Sequence, residues 1–328
     1  MSGRLPLGVV ATLLSGVFAA DTSGQEIGRE AGAARAVAAP PGAVRGAIDI
    51  AGQSRSYWLF APPESAPRPR PLLFVLHGGA TADGRVTFRY GFQDIAAREG
   101  FVTVHPEGRG AGWNDGRDTG FLLDRGGAPD DIAFFRAMIA RFVADGLADP
   151  KRIYVTGGSN GGLMTLRIAC EMAGEVAAVA PFSASLSTRL STRCTPSRPL
   201  PILLIGGTAD QLMPFDGGPV AAASGQDRGQ VIGQPQSFAF WRKVNRCDGA
   251  EPRRDAWPDR VPDDGTRITV EDGVGCAAVT RAMIVEGGGH RLPGEGQPQA
   301  RNPLSGISSR EVDGADYIWR FLREASLP

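Results

Sequence analysis

The chain has 328 residues, of which 42% are hydrophobic, and its 35 basic and 35 acidic residues cancel. This length and composition allow one large α/β core. The neutral balance offers no basic surface for a nucleic acid or for an anionic membrane, so a neutral or small polar ligand fits it better.

The first twenty residues have the organisation of a signal peptide. Met1–Arg4 form a short charged start, Leu5–Ala20 are largely apolar, and Val17–Ala19 offer small residues for cleavage. The alternative is a transmembrane anchor, but this apolar stretch contains proline and glycine and is short for a span, which takes about 20 residues. We therefore expect export to a secreted or periplasmic location, no stable membrane insertion after cleavage, and a flexible leader over residues 21–45.

The remaining residues, 46–328, are expected to form a single domain. The alternating stretch Ala47–Ala61 predicts an antiparallel hairpin that turns at Gly52 and Gln53. Apolar runs rich in β-branched residues then predict six buried strands, over residues 71–76, 101–105, 152–156, 176–181, 201–205 and 282–286.

Helical patterns lie between these strands. The clearest starts at Asp130 and Asp131 and repeats apolar residues with helical spacing as far as Phe142. The last predicted helix covers residues 308–324. Alternation of this kind predicts a mostly parallel central sheet with helices on both faces.

The residues Gly157–Gly161 place a serine between glycines directly after a predicted strand. A strand that turns so sharply into a helix needs glycine on both sides, and the hydroxyl of Ser159 then stays exposed. The backbone N–H of Asn160 would lie at a helix N-terminus, where it can face a developing oxyanion. A lone GxSxG also occurs as a turn with a bystander serine, but the strand before it and the helical pattern after it favour a nucleophile.

A nucleophilic serine needs a base, and the chain has three histidines. His77 ends the first long strand, before glycines typical of an oxyanion-hole loop at Gly79. His105 ends the next strand. His290 lies late in the chain, on a glycine-rich loop directly after the last predicted strand, and is therefore the expected base.

The third member of such a site is a carboxylate that orients the imidazole. Asp210 fits, because it follows the predicted strand 201–205 through a short loop; Asp216 is its nearest competitor, and a turn-stabilising role is the alternative for Asp210. The order Ser159, Asp210, His290 is that of the α/β-hydrolase fold, and each residue follows a strand's C-terminal end. A serine hydrolase of this kind requires no metal and no organic cofactor.

The four cysteines of an exported chain suggest two disulfides, although four thiols allow three pairings. Locality along the chain favours Cys170 with Cys194 and Cys247 with Cys276, the last expected to open a strand. A metal site is the alternative, but the sequence has no CxxC motif and no Cys/His cluster.

Several motifs together point to one family: LHGG at 76–79, WNDG at 113–116, DDI at 130–132, YVTGGSNGG at 154–162, GTAD at 207–210 and GGGH at 287–290. From about Gly46 to its C-terminus the chain resembles the α/β-hydrolase esterases grouped with poly(3-hydroxybutyrate) depolymerases, the feruloyl esterases of carbohydrate esterase family 1 and the mycobacterial lipoprotein LpqC. The resemblance implies the same triad, an oxyanion hole from Gly79 and Asn160, and cysteines close to Cys247 and Cys276.

Two positions depart from the family pattern. Gly206 stands where the family often has histidine, and Leu292 stands where it often has tryptophan. Neither is a triad member, so the departures concern the pocket near the histidine loop. Trp113, in a glycine-rich loop, either stacks on an aromatic or sugar group of the substrate or packs the loop against the domain. We expect Trp113 and Leu292 to be substrate contacts.

The expected activity is hydrolysis of a carboxylic ester through an acyl-enzyme. The resemblance implies hydroxyalkanoate oligomers or polymer, or feruloyl and acetyl esters of polysaccharides, as substrates. Acyl transfer or peptide hydrolysis by the same triad is the alternative within enzymes. A catalytically silent binding domain on the same fold is the alternative from another class.

Overall fold

The computed structural model describes residues 38–62, 68–79, 81–110, 112–117, 130–221, 227–296 and 303–328. The predicted signal peptide, and the predicted leader as far as residue 37, lie outside these residues. The first strand starts at Ala43, before the expected domain start at residue 46. No helix in the described ranges is long and apolar enough to cross a membrane.

The strands of the described chain are β1 Ala43–Ile50, β2 Gln53–Phe60, β3 Arg70–Leu76, β4 Val102–Pro106, β5 Ala148–Gly158, β6 Ala178–Phe182, β7 Ile202–Gly207, β8 Gly218–Pro219, β9 Gln230–Val231, β10 Arg253–Ala256, β11 Arg267–Asp272 and β12 Thr280–Glu286. The α-helices are α1 Phe92–Glu99, α2 Asp131–Ala144, α3 Asn160–Glu171, α4 Thr188–Ser191, α5 Gln234–Val244 and α6 Gly314–Leu322. Short 3₁₀ segments cover Gly84–Tyr90, Pro262–Asp264 and Pro303–Ser305.

Within these ranges, ten strands form one sheet in the order β1-β2-β4-β3-β5-β6-β7-β12-β11-β10. Neighbouring strands from β4 to β12 run parallel. The strands at both edges pair antiparallel. The mostly parallel central sheet predicted from the sequence is thereby confirmed.

Helices cover both faces of this sheet, because the buried strands are apolar on both sides. Alternate residues of β3 enter different cores: Leu72, Phe74 and Leu76 pack with residues of α2, α3 and α5. Leu73 and Val75 pack with residues of α1 and α6 on the other face. The period of two along the strand explains how one short segment contributes to two cores.

The six predicted buried strands correspond to β3, β4, β5, β6, β7 and β12. The hairpin turns one residue earlier than expected, at Ala51 and Gly52, and both residues have positive φ, 50° and 78°. The last helix begins at Gly314 instead of residue 308, because the side chain of Asp313 caps it by accepting from the N–H of Asp316 at 3.0 Å.

Four strands were not predicted: the two-residue pair β8 and β9, and two strands of the main sheet. β11 and β10 continue the sheet antiparallel beyond β12. All four residues of β10 are exposed, so this strand lacks the apolar alternation on which strand prediction depends.

The structure joins Cys170 to Cys194 and Cys247 to Cys276, the pairs that locality favours. The bonded cysteines are 24 and 29 residues apart, which corresponds to about 3 to 4 kcal/mol for each bond in the chain-entropy model. Cys276 lies in the turn between β11 and β12, not at the start of a strand as expected, since β12 begins at Thr280.

Candidate active site

The three expected catalytic residues lie beyond the C-terminal ends of strands in the parallel part of the sheet. Ser159 follows β5, Asp210 follows β7 and His290 follows β12. The cavity at this edge has a volume of about 430 Å³, and both Ser159 and His290 line it. This is the edge at which open α/β sheets place their sites.

A larger cavity of about 730 Å³ lies near the opposite edge, where Pro201 precedes β7 and Val279 precedes β12. Aromatic side chains such as Trp257 and Phe321 line it. The smaller cavity is the candidate active site because the expected nucleophile and the expected base both line it. The reactive groups, and not the size of a cavity, define a hydrolytic site.

The backbone at Ser159 is strained in the way that a nucleophile elbow requires. Its φ is 58° and its ψ is −125°, a conformation that residues other than glycine rarely adopt. A Cβ on Gly161 would lie 2.5 Å from the carbonyl oxygens of Leu76 and His77, so no side chain fits there. Close packing of the turn against β3 thus explains the second glycine of the motif.

Asp210 and His290 form a hydrogen bond, in which Nδ1 of the imidazole donates to Oδ2 of the carboxylate at 2.7 Å. The other oxygen, Oδ1, accepts from the backbone N–H groups of Leu212 and Met213 at 2.9 and 2.8 Å. With Nδ1 protonated, the neutral ring has Nε2 as its acceptor. The carboxylate is therefore fixed by the chain and sets the tautomer that a general base needs.

The other two histidines are buried, and their rings form hydrogen bonds within the protein. In His77, Nε2 accepts from the N–H of Gly108 at 2.9 Å and Nδ1 donates to the carbonyl of Gly78 at 2.8 Å. His105 lies between the hydroxyls of Thr87 and Thr103. Burial lowers the pKa of His77 to about 4 and that of His105 to about 3.

These lowered pKa values predict an acid-sensitive fold. In the unfolded chain both imidazoles have an ordinary pKa of about 6.5, so below that pH the unfolded state binds protons that the folded state excludes. The free energy of unfolding should fall as pH drops from about 6.5 to 4, by up to about 2.7 kcal/mol per pH unit for the two histidines together. Denaturant titrations at pH 7.5, 6.5, 5.5 and 4.5 measure this slope.

The control for that experiment is His105→Gln, which removes one of the two titrating groups. The variant's overall stability is expected to differ from that of the wild type, but its slope between pH 6.5 and 4.5 should be about half as steep. A wild-type stability that stays flat over this interval would contradict the prediction.

The predicted oxyanion-hole residues lie beside the nucleophile. Gly79 lines the cavity, and Asn160 is the first residue of α3, where backbone N–H groups have no acceptor within the helix. The side chain of Asn160 is held on both sides: Oδ1 accepts from the N–H of Trp113 at 2.7 Å, and Nδ2 donates to Oδ2 of Asp115 at 2.5 Å. These bonds fix the start of the helix and so the direction of its first N–H.

Trp113 is not available as a substrate contact, which corrects the sequence-based expectation. Its side chain is fully buried, it packs against His77 and Phe135, and Nε1 donates to the carbonyl of His77 at 2.9 Å. The alternative function, packing the loop against the domain, is what the contacts show.

Leu292 is also buried, at 1% exposure, and belongs to the core cluster that contains Ile318 and Trp319 of α6. Its side chain therefore packs under the histidine loop and does not face the cavity, contrary to expectation. A Cβ on Gly206 would overlap Oε1 of Gln234, so a side chain at this position would require the Gln234 side chain to move. Gln234 is buried and donates to the carbonyl of Met283 at 3.2 Å.

The sequence predicts no role for Asp115 beyond its place in the WNDG motif at 113–116. The structure buries it completely, with both of its oxygens accepting from Nε of Arg117 at 3.0 Å. Arg117 also donates to the carbonyl of Arg228 at 2.6 Å, and both arginines line the cavity. Asp115 thus connects Asn160 to Arg117, which lines the cavity.

A second buried carboxylate fixes the same loop from behind. Asp131 forms an ion pair with Arg55 at 2.7 Å and accepts from the N–H of Asn114 at 2.7 Å. Both side chains are nearly inaccessible, and burial raises the pKa of Asp131 although Arg55 opposes this. The helix cap itself is Asp130, which accepts from the N–H of Ala133. Asp131 is therefore a loop anchor outside the cavity.

Known proteins share this sequence pattern. A model described as the prolyl oligopeptidase family matches residues 86–200. NocK of Nocardia uniformis subsp. tsuyamanensis, an esterase by name, is 32% identical over 284 residues, which cover 84% of this chain and 81% of NocK. Feruloyl esterase D of Neurospora crassa is 26% identical over 270 residues, 78% of this chain and 80% of that protein.

Feruloyl esterase B of Piromyces equi is 35% identical over 127 residues, which cover 38% of this chain and 23% of that protein. The match to NocK extends over most of both sequences, and the sheet order and helix placement are those of the α/β-hydrolase fold. The chain therefore belongs to the α/β-hydrolase esterases of the feruloyl esterase type and is a carboxylic ester hydrolase.

Proposed function

We propose that the chain hydrolyses esters through an acyl-enzyme, with Ser159 as nucleophile, His290 as general base and Asp210 as the carboxylate that orients it. Nε2 of His290 takes the hydroxyl proton of Ser159 as the oxygen attacks the ester carbonyl. The N–H groups of Asn160 and Gly79 stabilise the oxyanion. The protonated imidazole then gives its proton to the leaving alcohol.

In the second half of the reaction the acyl group is on the serine oxygen. His290 removes a proton from water, the hydroxide attacks the acyl carbonyl, and the serine leaves with the proton from the imidazole. The observation that carries this proposal is the 2.7 Å hydrogen bond between Asp210 and His290, beside a cavity that the strained Ser159 also lines.

We also propose that the protein is exported and that residues 46–328, with the preceding β1 residues, form its single catalytic domain. The signal-like first twenty residues and the two disulfides support export, since disulfides persist in oxidising compartments. For substrates, the similarity to proteins named feruloyl esterase and acetylxylan esterase/xylanase favours feruloyl or acetyl esters of polysaccharides. Hydroxyalkanoate oligomers remain the other candidate.

Peptide hydrolysis is the second candidate activity, because the prolyl oligopeptidase family model matches the segment that contains the elbow. The same triad attacks either an ester or an amide, and the match covers residues 86–200 only. Acyl transfer to an alcohol differs from hydrolysis only in the acceptor.

Two measurements on the purified protein test this function. A fluorophosphonate probe should label Ser159, as identified by mass spectrometry of the labelled peptide. A panel of methyl ferulate, acetylated xylan, hydroxybutyrate oligomers and peptide anilides should then give turnover on an ester and at least 100-fold lower kcat/KM on the anilides, about 3 kcal/mol in the barrier. Absence of both labelling and ester turnover would favour a silent binding domain, and faster anilide cleavage would favour the peptidase.

A further inference from the structure

Tyr90 places a buried phenol at the active-site cavity. It ends the 3₁₀ segment Gly84–Tyr90, its exposure is 9%, and it lines the cavity together with Arg89 and Glu295. The mechanism proposed above uses none of these three residues. In ligand sites a few precisely placed polar groups fix the orientation of the ligand, and their hydrogen bonds show whether the protein already satisfies them.

The ring of Tyr90 is fixed close to the nucleophile. It meets the ring of Phe182 edge to face, with 5.1 Å between the ring centroids. The carbonyl oxygen of Phe182 accepts from the backbone N–H of Ser159 at 3.2 Å, and the Phe182 ring fills the space that a Cβ on Gly158 would occupy. The ring of Phe182 therefore lies between Tyr90 and the elbow.

The hydroxyl of Tyr90 accepts one hydrogen bond and keeps its own proton free. Nη2 of Arg89 donates to it at 3.1 Å, and Nε of Arg89 forms an ion pair with Oε1 of Glu295 at 3.2 Å. None of the described residues accepts a hydrogen bond from the hydroxyl in return. Burial raises the pKa of Tyr90, so the phenol stays protonated at neutral pH and remains able to donate.

A buried donor without an acceptor is unfavourable until an acceptor reaches it. The catalytic steps do not need this donor, because the triad moves the proton and backbone N–H groups bind the oxyanion. An uncharged oxygen on the substrate would accept its hydrogen bond. Such a site favours a substrate with that oxygen over one with a methylene in its place, because only the first satisfies the donor.

The neighbours of the phenol place it on the side of the histidine loop. Glu295 and His290 lie in the same loop after β12, and Glu295 is connected to the phenol through Arg89. The imidazole of His290 protonates the leaving alcohol, so the alcohol part of the substrate lies next to this loop. The oxygen that accepts from Tyr90 therefore belongs to the alcohol part.

We propose that Tyr90 is a specificity-determining residue that donates a hydrogen bond to an uncharged oxygen on the alcohol part of the ester. Arg89 and Glu295 are positioning residues that fix the phenol. The preferred substrates are esters of oxygenated alcohols, such as sugars and other polyols, over esters of plain alkanols. The inference rests on the proposed function, because it concerns which esters the same site cleaves.

The test compares esters in which an ether oxygen replaces one methylene of the alcohol. The pairs are 2-methoxyethyl butanoate against butyl butanoate and 3-methoxypropyl butanoate against pentyl butanoate, with released acid followed by titration at constant pH. An ether oxygen also activates the leaving alcohol, so each ratio of kcat/KM is divided by the ratio of the rates of alkaline hydrolysis. In at least one pair this corrected ratio should be about five, the effect of one neutral hydrogen bond.

A variant then assigns the preference to the phenol. Tyr90→Phe removes the hydroxyl, keeps the ring against Phe182, and should lower the corrected ratio about fivefold. The matched control is Tyr317→Phe on α6, because the hydroxyl of Tyr317 also accepts from an arginine, Nη1 of Arg281 at 3.4 Å, and lies outside the described lining of the active-site cavity. It should leave the ratio unchanged. The wild-type ratio keeps the test decisive if Tyr90→Phe does not fold.

The outcomes separate this inference from the proposed function. Corrected wild-type ratios of one or lower in both pairs, with turnover that still depends on Ser159, would overturn the role of Tyr90 and leave the esterase mechanism intact. A ratio that stays within twofold of the wild type in Tyr90→Phe would also overturn it. Loss of the ratio in Tyr90→Phe, with Tyr317→Phe unaffected, supports it.

A further pair tests the side of the ester on which the oxygen lies. Methyl 3-methoxypropanoate against methyl pentanoate places the ether oxygen in the acyl part. This pair should give the same ratio in the wild type and in Tyr90→Phe. A preference that depends on Tyr90 in this pair, and in neither alcohol pair, would contradict the proposal.

Discussion

Replacing Ser159 with alanine should lower kcat for 4-nitrophenyl butyrate by about a millionfold, the usual effect of removing the nucleophile of a serine hydrolase. The variant loses the atom that forms the acyl bond but keeps the Asp210 and His290 pair and the backbone of the elbow. Its thermal stability should therefore stay close to that of the wild type. Steady-state kinetics with an active-site titration, to exclude wild-type contamination, measures the loss.

The control for this variant is Ser183→Ala. Ser183 lines the same cavity and also has a positive φ, 47°, so it is the neighbouring hydroxyl that resembles the nucleophile most. It follows β6 instead of preceding a helix, and its hydroxyl is buried without a hydrogen-bond partner among the described residues. Its replacement should change kcat less than tenfold. Retention of one per cent or more of activity in Ser159→Ala, or an equal loss in Ser183→Ala, would exclude Ser159 as the nucleophile.

The parallel core was predictable because its signals are local. The strands around Phe74, Val155 and Leu204 are apolar on both faces, which only a strand covered by helices on both sides requires. The glycines of the elbow are equally informative, since a Cβ on Gly157 would lie 2.8 Å from the backbone of Gly161 in the same turn. In such positions the sequence records a constraint that acts within a few residues.

Features that depend on long-range contacts were not predictable in the same way. The sequence around Trp113 is compatible with a ring that stacks on a substrate and with one that packs against His77. The structure shows the second arrangement, in which Phe135 of α2 also packs against the Trp113 ring. The space beside Gly206 is occupied by Gln234, which lies on a different element. Neither neighbour is identifiable from the sequence near the residue it constrains.

The net charge of the sequence does not show where the charged residues lie in the folded protein. Equal numbers of acidic and basic residues favoured a neutral or small polar ligand, whereas the described lining of the cavity contains four arginines and one acidic residue. The arginines come from separate parts of the chain, with Arg117 in the loop after β4 and Arg291 in the loop after β12. A sum over the sequence cannot reveal such convergence, because folding decides which charges become neighbours.

The second large effect is expected from Asp210→Asn, which should lower kcat by about 10⁴-fold. The asparagine Oδ1 can still accept from the N–H groups of Leu212 and Met213, so the loop should keep its conformation. Its amide N–H₂ then faces Nδ1 of His290, where the carboxylate accepted a hydrogen bond of 2.7 Å. The imidazole must adopt the other tautomer, with the proton on Nε2, and can no longer take the proton of Ser159.

Asp216→Asn provides the matched control, because the sequence offers Asp216 as the alternative third member of the triad. In the structure Asp210 is the residue that accepts the hydrogen bond from His290. Its kcat should remain within threefold of the wild type. If Asp210→Asn were nearly as active as the wild type, or if Asp216→Asn lost as much activity, the assignment of the third triad member would be wrong. Because the two substitutions introduce the same chemical change in the same loop, their difference isolates the hydrogen bond to His290 from any general effect of removing a negative charge near the cavity.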